Sequence, residues 1–190
     1  MAMFADRGSS VGALLLGVVL AAAVIGDALG ADNQGQPLTI SGTQDNTCTL
    51  GAFTVGASDN ASYDTVTDTL TITDPGGDDA IADSFSISLT APAMCNFTHQ
   101  VKLQTTNGGL TNAATATGFA NHINYSGLTL FGTAIVNLLT DGTASASAQS
   151  TPKTAAVGSL QLIIANGALP TQPLIAGTYA DTLTLTIGSI

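Results

Sequence analysis

Two cysteines, two histidines and a set of aspartates are the side chains with the means for chemistry in this sequence, and their spacing limits what they can do. Cys48 and Cys95 are an even pair. In an exported chain such a pair most simply forms a disulfide. Closing a loop of that length would remove unfolded-state entropy worth roughly 4 kcal/mol on the chain-entropy model. Two unlinked thiols would suit a reducing compartment instead. A metal site is disfavoured, because His99 and His122 have no ligand-like spacing with the cysteines. Asp74, Asp78 and Asp79 fall within Asp74-Pro-Gly-Gly-Asp-Asp79, where three carboxylates offer oxygen ligands to a hard cation such as calcium. Their spacing is not that of an EF-hand loop, and a turn between two strands is the simpler reading. No cofactor is expected.

Catalysis finds little material. All thirteen acidic residues are aspartates, tryptophan is absent, and no serine sits in a Gly-x-Ser-x-Gly elbow. A paired-carboxylate hydrolase would have to draw on aspartates that mostly lie in turn-like segments. The chain therefore reads as a non-enzyme. Three basic residues against thirteen acidic ones, a formal charge of −10, leave no cationic footprint for nucleic acid.

The compartment is set by the first thirty residues, which read as a cleaved signal. Arg7 precedes an apolar run from Val11 to Gly26, and Ala28-Leu-Gly30 suits cleavage before Ala31. The run is short of the roughly 20 residues that span a bilayer. A prepilin-type cut after Gly8 is the alternative, but no acidic residue just inside the apolar helix supports it. The chain beyond the signal has the size of one domain: an N-terminal extension over 31–46 and a β-domain over 47–190.

The elements available to position these residues are strands. Thr, Val, Ile and aromatics occur in short runs separated by turn residues, the pattern of an all-β sandwich. The spacing predicts strands over Pro37–Ser41, Thr47–Val55, Asp68–Thr73, Ser84–Thr90, Gln100–Thr106, His122–Tyr125, Ala134–Leu139, Val157–Ala165 and Tyr179–Ile187. Thr143–Thr154 reads as a long surface loop. In Tyr179–Ile187 the alternation directs Leu183, Leu185 and Ile187 inward and Thr182, Thr184 and Thr186 outward. That strand has no following hairpin partner in the sequence, so its free edge needs a cover.

Several segments resemble the spore coat protein U domain family, which includes subunits of archaic chaperone–usher pili. They are Thr47-Cys-Thr-Leu50, Cys95 with Val101-Lys-Leu103, Gly108-Gly-Leu-Thr-Asn112, Ile123-Asn-Tyr125, Leu160-Gln-Leu-Ile-Ile164 and the closing Ala176–Ile187. The resemblance covers nearly all of the chain after the signal, and its most specific piece is Gly177-Thr-Tyr-Ala-Asp-Thr-Leu183.

The resemblance implies an immunoglobulin-like sandwich that lacks its last strand and is completed by a donor strand from the next subunit, after a periplasmic chaperone has filled the groove temporarily. Backbone hydrogen bonds would supply affinity and alternate side chains would fill pockets. A head-to-tail contact of this kind does not close on itself and grows a fibre. On this sequence the acceptor groove maps to Tyr179, Leu183, Leu185 and Ile187, with the three apolar residues lining its floor. The donor maps to Pro37, Leu38, Thr39 and Ile40. Burying Leu38 and Ile40 would contribute roughly 3–6 kcal/mol before ordering costs. Implied partners are other copies of the chain or related pilus subunits, the chaperone and an outer-membrane usher. The implied route is export through the periplasm to a surface fibre or coat with a role in adhesion. Two other readings stand beside this one: a self-complemented monomeric extracellular sandwich, and an adhesin-like carbohydrate-binding domain.

Overall fold

A computed structural model describes residues 41–72, 82–143 and 145–190. The expected signal, the donor residues Pro37, Leu38, Thr39 and Ile40, and the aspartate-rich turn with Asp74, Asp78 and Asp79 lie outside the described residues. Within the unit Thr43–Ile190 the architecture is all-β, with no helix among the described residues.

Among the described residues thirteen strands form two principal antiparallel sheets and two small hairpin-like pairs. The six-stranded sheet contains β1 (Cys48–Leu50), β2 (Thr54–Asp59), β5 (Ser86–Cys95), β12 (Ala156–Asn166), β9 (Tyr125–Phe131) and β10 (Ala134–Leu139). Its order is β1-β5-β12-β9-β10, with β2 on the same edge of β5 as β1. The second sheet has the order β11-β6-β13, from β11 (Ser147–Gln149), β6 (Gln100–Thr105) and β13 (Leu183–Gly188). β3 (Ala61–Asp64) pairs with β4 (Thr69–Ile72), and β7 (Leu110–Thr111) pairs with β8 (His122–Ile123).

Alternation builds the core between the two large sheets. Ile87, Leu89, Ala91, Ala93 and Cys95 of β5 are buried, as are Leu160, Leu162 and Ile164 of β12. Val101 and Leu103 of β6 oppose them from the second sheet and are fully buried. At Gly127 in β9 an added Cβ would lie 3.3 Å from Leu103 Cδ1 and 3.6 Å from Leu183 Cδ2 of the second sheet.

Several strands differ from the sequence expectation, each for a local reason. The stretch expected as one strand over Thr47–Val55 is broken between β1 and β2. Gly51 donates its N–H to the Pro92 carbonyl at 2.8 Å. A Cβ at Gly51 would come within 2.6 Å of Pro92 Cγ, so this approach requires glycine. The break also accommodates β5 running on through Pro92, which has no N–H to give to a neighbouring strand. β9 extends well beyond Tyr125 because its inward residues are Tyr125, Gly127, Thr129 and Phe131, whereas Leu128 and Leu130 face outward. That composition disguises the buried face. The segment expected as a loop over Thr143–Thr154 contributes β11, fixed to β6 by Ser150, whose N–H donates to the Val101 carbonyl and whose Oγ accepts from Val101 N–H. The last strand begins at Leu183, four residues later than expected.

The cysteines form a disulfide with a Cα–Cα distance of 4.2 Å, and they are direct partners in the β1–β5 ladder. It fastens the start of β1 to the end of β5. Next to it, Asn96 donates Nδ2–H to the Asp45 carbonyl and accepts Thr47 N–H through Oδ1.

Candidate functional site

Along one side the two sheets approach through β10, and on the other β1 comes close to β13 beside a groove. On the first side β10 approaches β6 and β11, and Val136, Leu138 and Leu103 are buried there. On the opposite side β13 pairs only with β6, and among the described residues no strand pairs with its outer edge. Unpaired edges expose rows of backbone donors and acceptors, which makes them templates for another strand.

A groove-shaped cavity of about 750 Å³ runs beside this edge. One wall consists of Leu183 and Leu185 with Asp181 at its end; the other is made by Leu50 and Phe53 together with Tyr63, Leu70 and Ile72 of the β3–β4 pair. Phe85, Leu89, Leu162 and Ile164, contributed by the six-stranded sheet and its approach, form the floor. Protein interiors pack nearly as tightly as organic crystals, and an apolar cavity of ~150 Å³ already takes a benzene. This space is several times larger, enough for a row of side chains. The burial of β13 reflects the same space: Leu183, Leu185 and Ile187 are only half-buried, although their β6 partners Thr105, Leu103 and Val101 are at most 1% exposed.

The sequence-derived groove residues divide. Leu183 and Leu185 line the cavity as a wall, while the floor belongs to the opposite sheet. Ile187 shares their inward face and packs on the core but is not among the lining residues. Tyr179 lies before the strand and away from the cavity. Its hydroxyl is 2.9 Å from the Ala120 carbonyl and 3.0 Å from that of Ile175, so it secures the chain leading into β13. Burial raises its pKa above the usual tyrosine value.

The groove has a polar end that the periodicity of the sequence does not reveal. Asp181 Oδ1 accepts N–H groups from Asn107 at 2.8 Å and Thr182 at 2.7 Å, and a longer one from Thr106 at 3.2 Å. Oδ2 accepts Gly109 N–H at 3.2 Å and the Tyr125 hydroxyl at 2.8 Å. Burial, followed by the bond to Asp181 and that carboxylate's charge, raises the Tyr125 pKa far above its usual value. The available signal was the aspartate inside Gly177-Thr-Tyr-Ala-Asp-Thr-Leu183, placed where alternation alone would call for any polar residue. The Phe53 and Tyr63 rings meet edge to face with centroids 6.3 Å apart on the far wall. Tyr63 donates to Asp68 Oδ1 at 2.6 Å.

Among the described residues the outer edge of β13 is unpaired beside an apolar floor, an arrangement that can take an extended apolar segment. Among the described residues no group of three His, Cys, Asp or Glu side chains is placed to hold a metal. Compared with protein-family models, curated proteins and solved structures, the chain matches none.

Proposed function

We propose that this chain is a structural subunit of an extracellular fibre or coat, assembled by donor-strand exchange and serving surface adhesion. The observation that carries the proposal is the outer edge of β13, unpaired among the described residues, beside a cavity of about 750 Å³ with an apolar floor. A strand laid there would complete the small sheet with backbone hydrogen bonds and bury alternate side chains over Leu89, Leu162 and Ile164. The resemblance of the Gly177–Leu183 segment to spore coat U pilins points the same way, and the Cys48–Cys95 disulfide suits export into an oxidising compartment.

The donor in this reading is Pro37-Leu-Thr-Ile40 of another copy, with Leu38 and Ile40 as the inserted anchors. A periplasmic chaperone would hold the groove beforehand and an outer-membrane usher would secrete the growing fibre. Two measurements test this. Deleting residues 31–43 should abolish polymers while leaving a monomer that a synthetic peptide of residues 34–43 stabilises. A peptide at a hundred times its Kd should add about 2.7 kcal/mol. If the deletion variant still polymerises, or the peptide leaves its melting temperature unchanged, the donor assignment is wrong. If deletion destabilises an isolated monomer and the full chain never polymerises, the segment completes its own subunit.

A further inference from the structure

A second cavity, of about 410 Å³, is formed by the segment around β8 and the loop between β12 and β13. It is distinct in character from the groove. Phe119, Asn121, His122, Asn124, Thr171 and Gln172 supply its chemistry, and no aspartate, lysine or arginine lines it. Its volume lies in the ~300–1,000 Å³ range of small-molecule sites. We propose that this cavity is a binding site for a neutral carbohydrate.

Three features select that class of ligand. Phe119 is 48% exposed at the cavity, although a phenyl ring gains most from burial, and such a ring offers an apolar face on which the C–H face of a sugar can rest. The Asn121, Asn124 and Gln172 carboxamides each carry donors and an acceptor, matching sugar hydroxyls, which also do both. Finally, no aspartate, lysine or arginine lines the cavity, while the whole chain carries a formal charge of −10. Uronates, sialosides and phosphorylated ligands would meet net repulsion.

One part of the site is already organised. His122 Nε2 lies 2.7 Å from Asn124 Oδ1. With the proton on Nε2, the imidazole donates to that oxygen and leaves the Asn124 NH₂ for a ligand hydroxyl. The ring is fixed by close packing over Gly142, where an added Cβ would fall 2.1 Å from His122 Cε1. Gly142 has φ +79°, so glycine serves both the backbone conformation and the ring. The Ala120 backbone is bound on both sides, its N–H to Pro173 O at 2.8 Å and its carbonyl accepting Ile175 N–H at 3.0 Å, which joins the two loops of the cavity.

The test is saturation-transfer and chemical-shift titration of the full chain with methyl mannoside, methyl galactoside and N-acetylglucosamine, using glucuronate as the charged control. The expected result is saturable binding of at least one neutral sugar with a Kd of order 1 mM. Signals should change at Phe119 and at the Asn121 and Asn124 amides, and glucuronate should bind more weakly. Phe119→Ala and Gln172→Ala should each reduce affinity by roughly fivefold or more at an unchanged melting temperature. No saturable shift with any neutral sugar at about ten times that concentration overturns the proposal. Binding that both variants leave unchanged, or glucuronate binding as tightly as the neutral sugars, overturns it equally. The site is independent of polymer formation, so its failure would leave the donor-strand reading intact.

Discussion

The Tyr125 hydroxyl donates to Asp181 Oδ2 at 2.8 Å, joining the first residue of β9 in one sheet to the approach of β13 in the other. Because the same carboxylate collects the backbone N–H groups of Thr106, Asn107, Gly109 and Thr182, it also shapes the turn after β6. The Asp181 carboxylate thereby ties the entry of the groove's edge strand to both sheets.

Asp181→Asn should destabilise the chain by roughly 2–4 kcal/mol, because hydrogen bonds to a charged acceptor are the stronger ones and the new NH₂ faces other donors. Tyr125→Phe removes only the cross-sheet bond and should cost about 1 kcal/mol. Urea unfolding of both single variants and the double variant checks this. The double variant should be less destabilised than the sum of the singles, because the residues are in direct contact.

Alkaline pH should loosen the same region. Tyr125 is raised by burial and by Asp181, and Tyr63 is pushed up to about 12, first by burial and then by its bond to Asp68 and the charges of Asp68 and Asp64. Unfolded tyrosine titrates near 10, so the folded chain holds these protons more tightly. The stabilising effect is complete below about pH 10 and is lost as pH rises through the folded values. The melting temperature should therefore fall above about pH 10, and Tyr125→Phe should flatten that fall. Thermal denaturation across an alkaline series, followed by circular dichroism, measures both.

Strand alternation made much of this fold legible in the sequence. Phe85, Ile87 and Leu89 announce a buried face, and β4, β6, β10 and β12 lie close to where their patterns place them. The pattern fails where packing needs small or polar inward residues. Gly127 and Thr129 lie on the buried face of β9, where a Cβ at Gly127 would press on Leu103, so the outward Leu128 and Leu130 look like the buried set. Ser147–Gln149 has no strand propensity of its own and becomes β11 only by pairing with β6. For the groove, the periodicity of β13 identified Leu183 and Leu185. It gave no access to Phe53, Tyr63 or Ile164, which reach the same cavity through long-range pairing.

Gly127 sets the separation of the sheets beside the groove wall. A Cβ there meets Leu103 and Leu183 at 3.3 and 3.6 Å, so Gly127→Ala asks for a small shift and Gly127→Val for a larger one. Overpacking of this kind costs about 1–3 kcal/mol. Gly127→Val should lower stability by an amount in that range, measured by urea unfolding. Pairing it with Leu183→Ala should recover part of the loss by vacating the space. A double variant no more stable than Gly127→Val would place the strain elsewhere.

His99, just before β6 and bridged to Lys153, is 1% exposed, with its ring tilted against Phe131 at a centroid distance of 5.1 Å. Its Nε2 is buried without a hydrogen-bond partner among the described residues. Leaving a buried polar atom unsatisfied costs about 1–3 kcal/mol. His99→Phe retains an aromatic contact and removes that atom, so it should leave stability unchanged or raise it by about 1 kcal/mol. Calorimetric melting decides the sign, and a clear loss would mean that the Nδ1 contact with the Phe97 carbonyl, at 3.4 Å, outweighs the orphaned Nε2.

Leu185 and Ile187 provide a matched pair for testing the groove itself. Both alternate inward from β13, but only Leu185 lines the cavity. Leu185→Lys would place an ammonium group against the apolar floor, where an inserted strand would have to desolvate it. Without an inserted strand, the long lysine stem can carry its charge towards water. Polymer formation should therefore be lost in Leu185→Lys, with the monomer destabilised by no more than about 2 kcal/mol. Leu185→Met, close in volume, should polymerise normally. Ile187→Val trims one methylene outside the cavity and should cost about 1 kcal/mol of monomer stability without affecting polymers. Size-exclusion chromatography of the purified variants, read alongside their melting temperatures, separates these effects. Polymers of Leu185→Lys as abundant as those of the parent chain would remove the groove from the assembly surface.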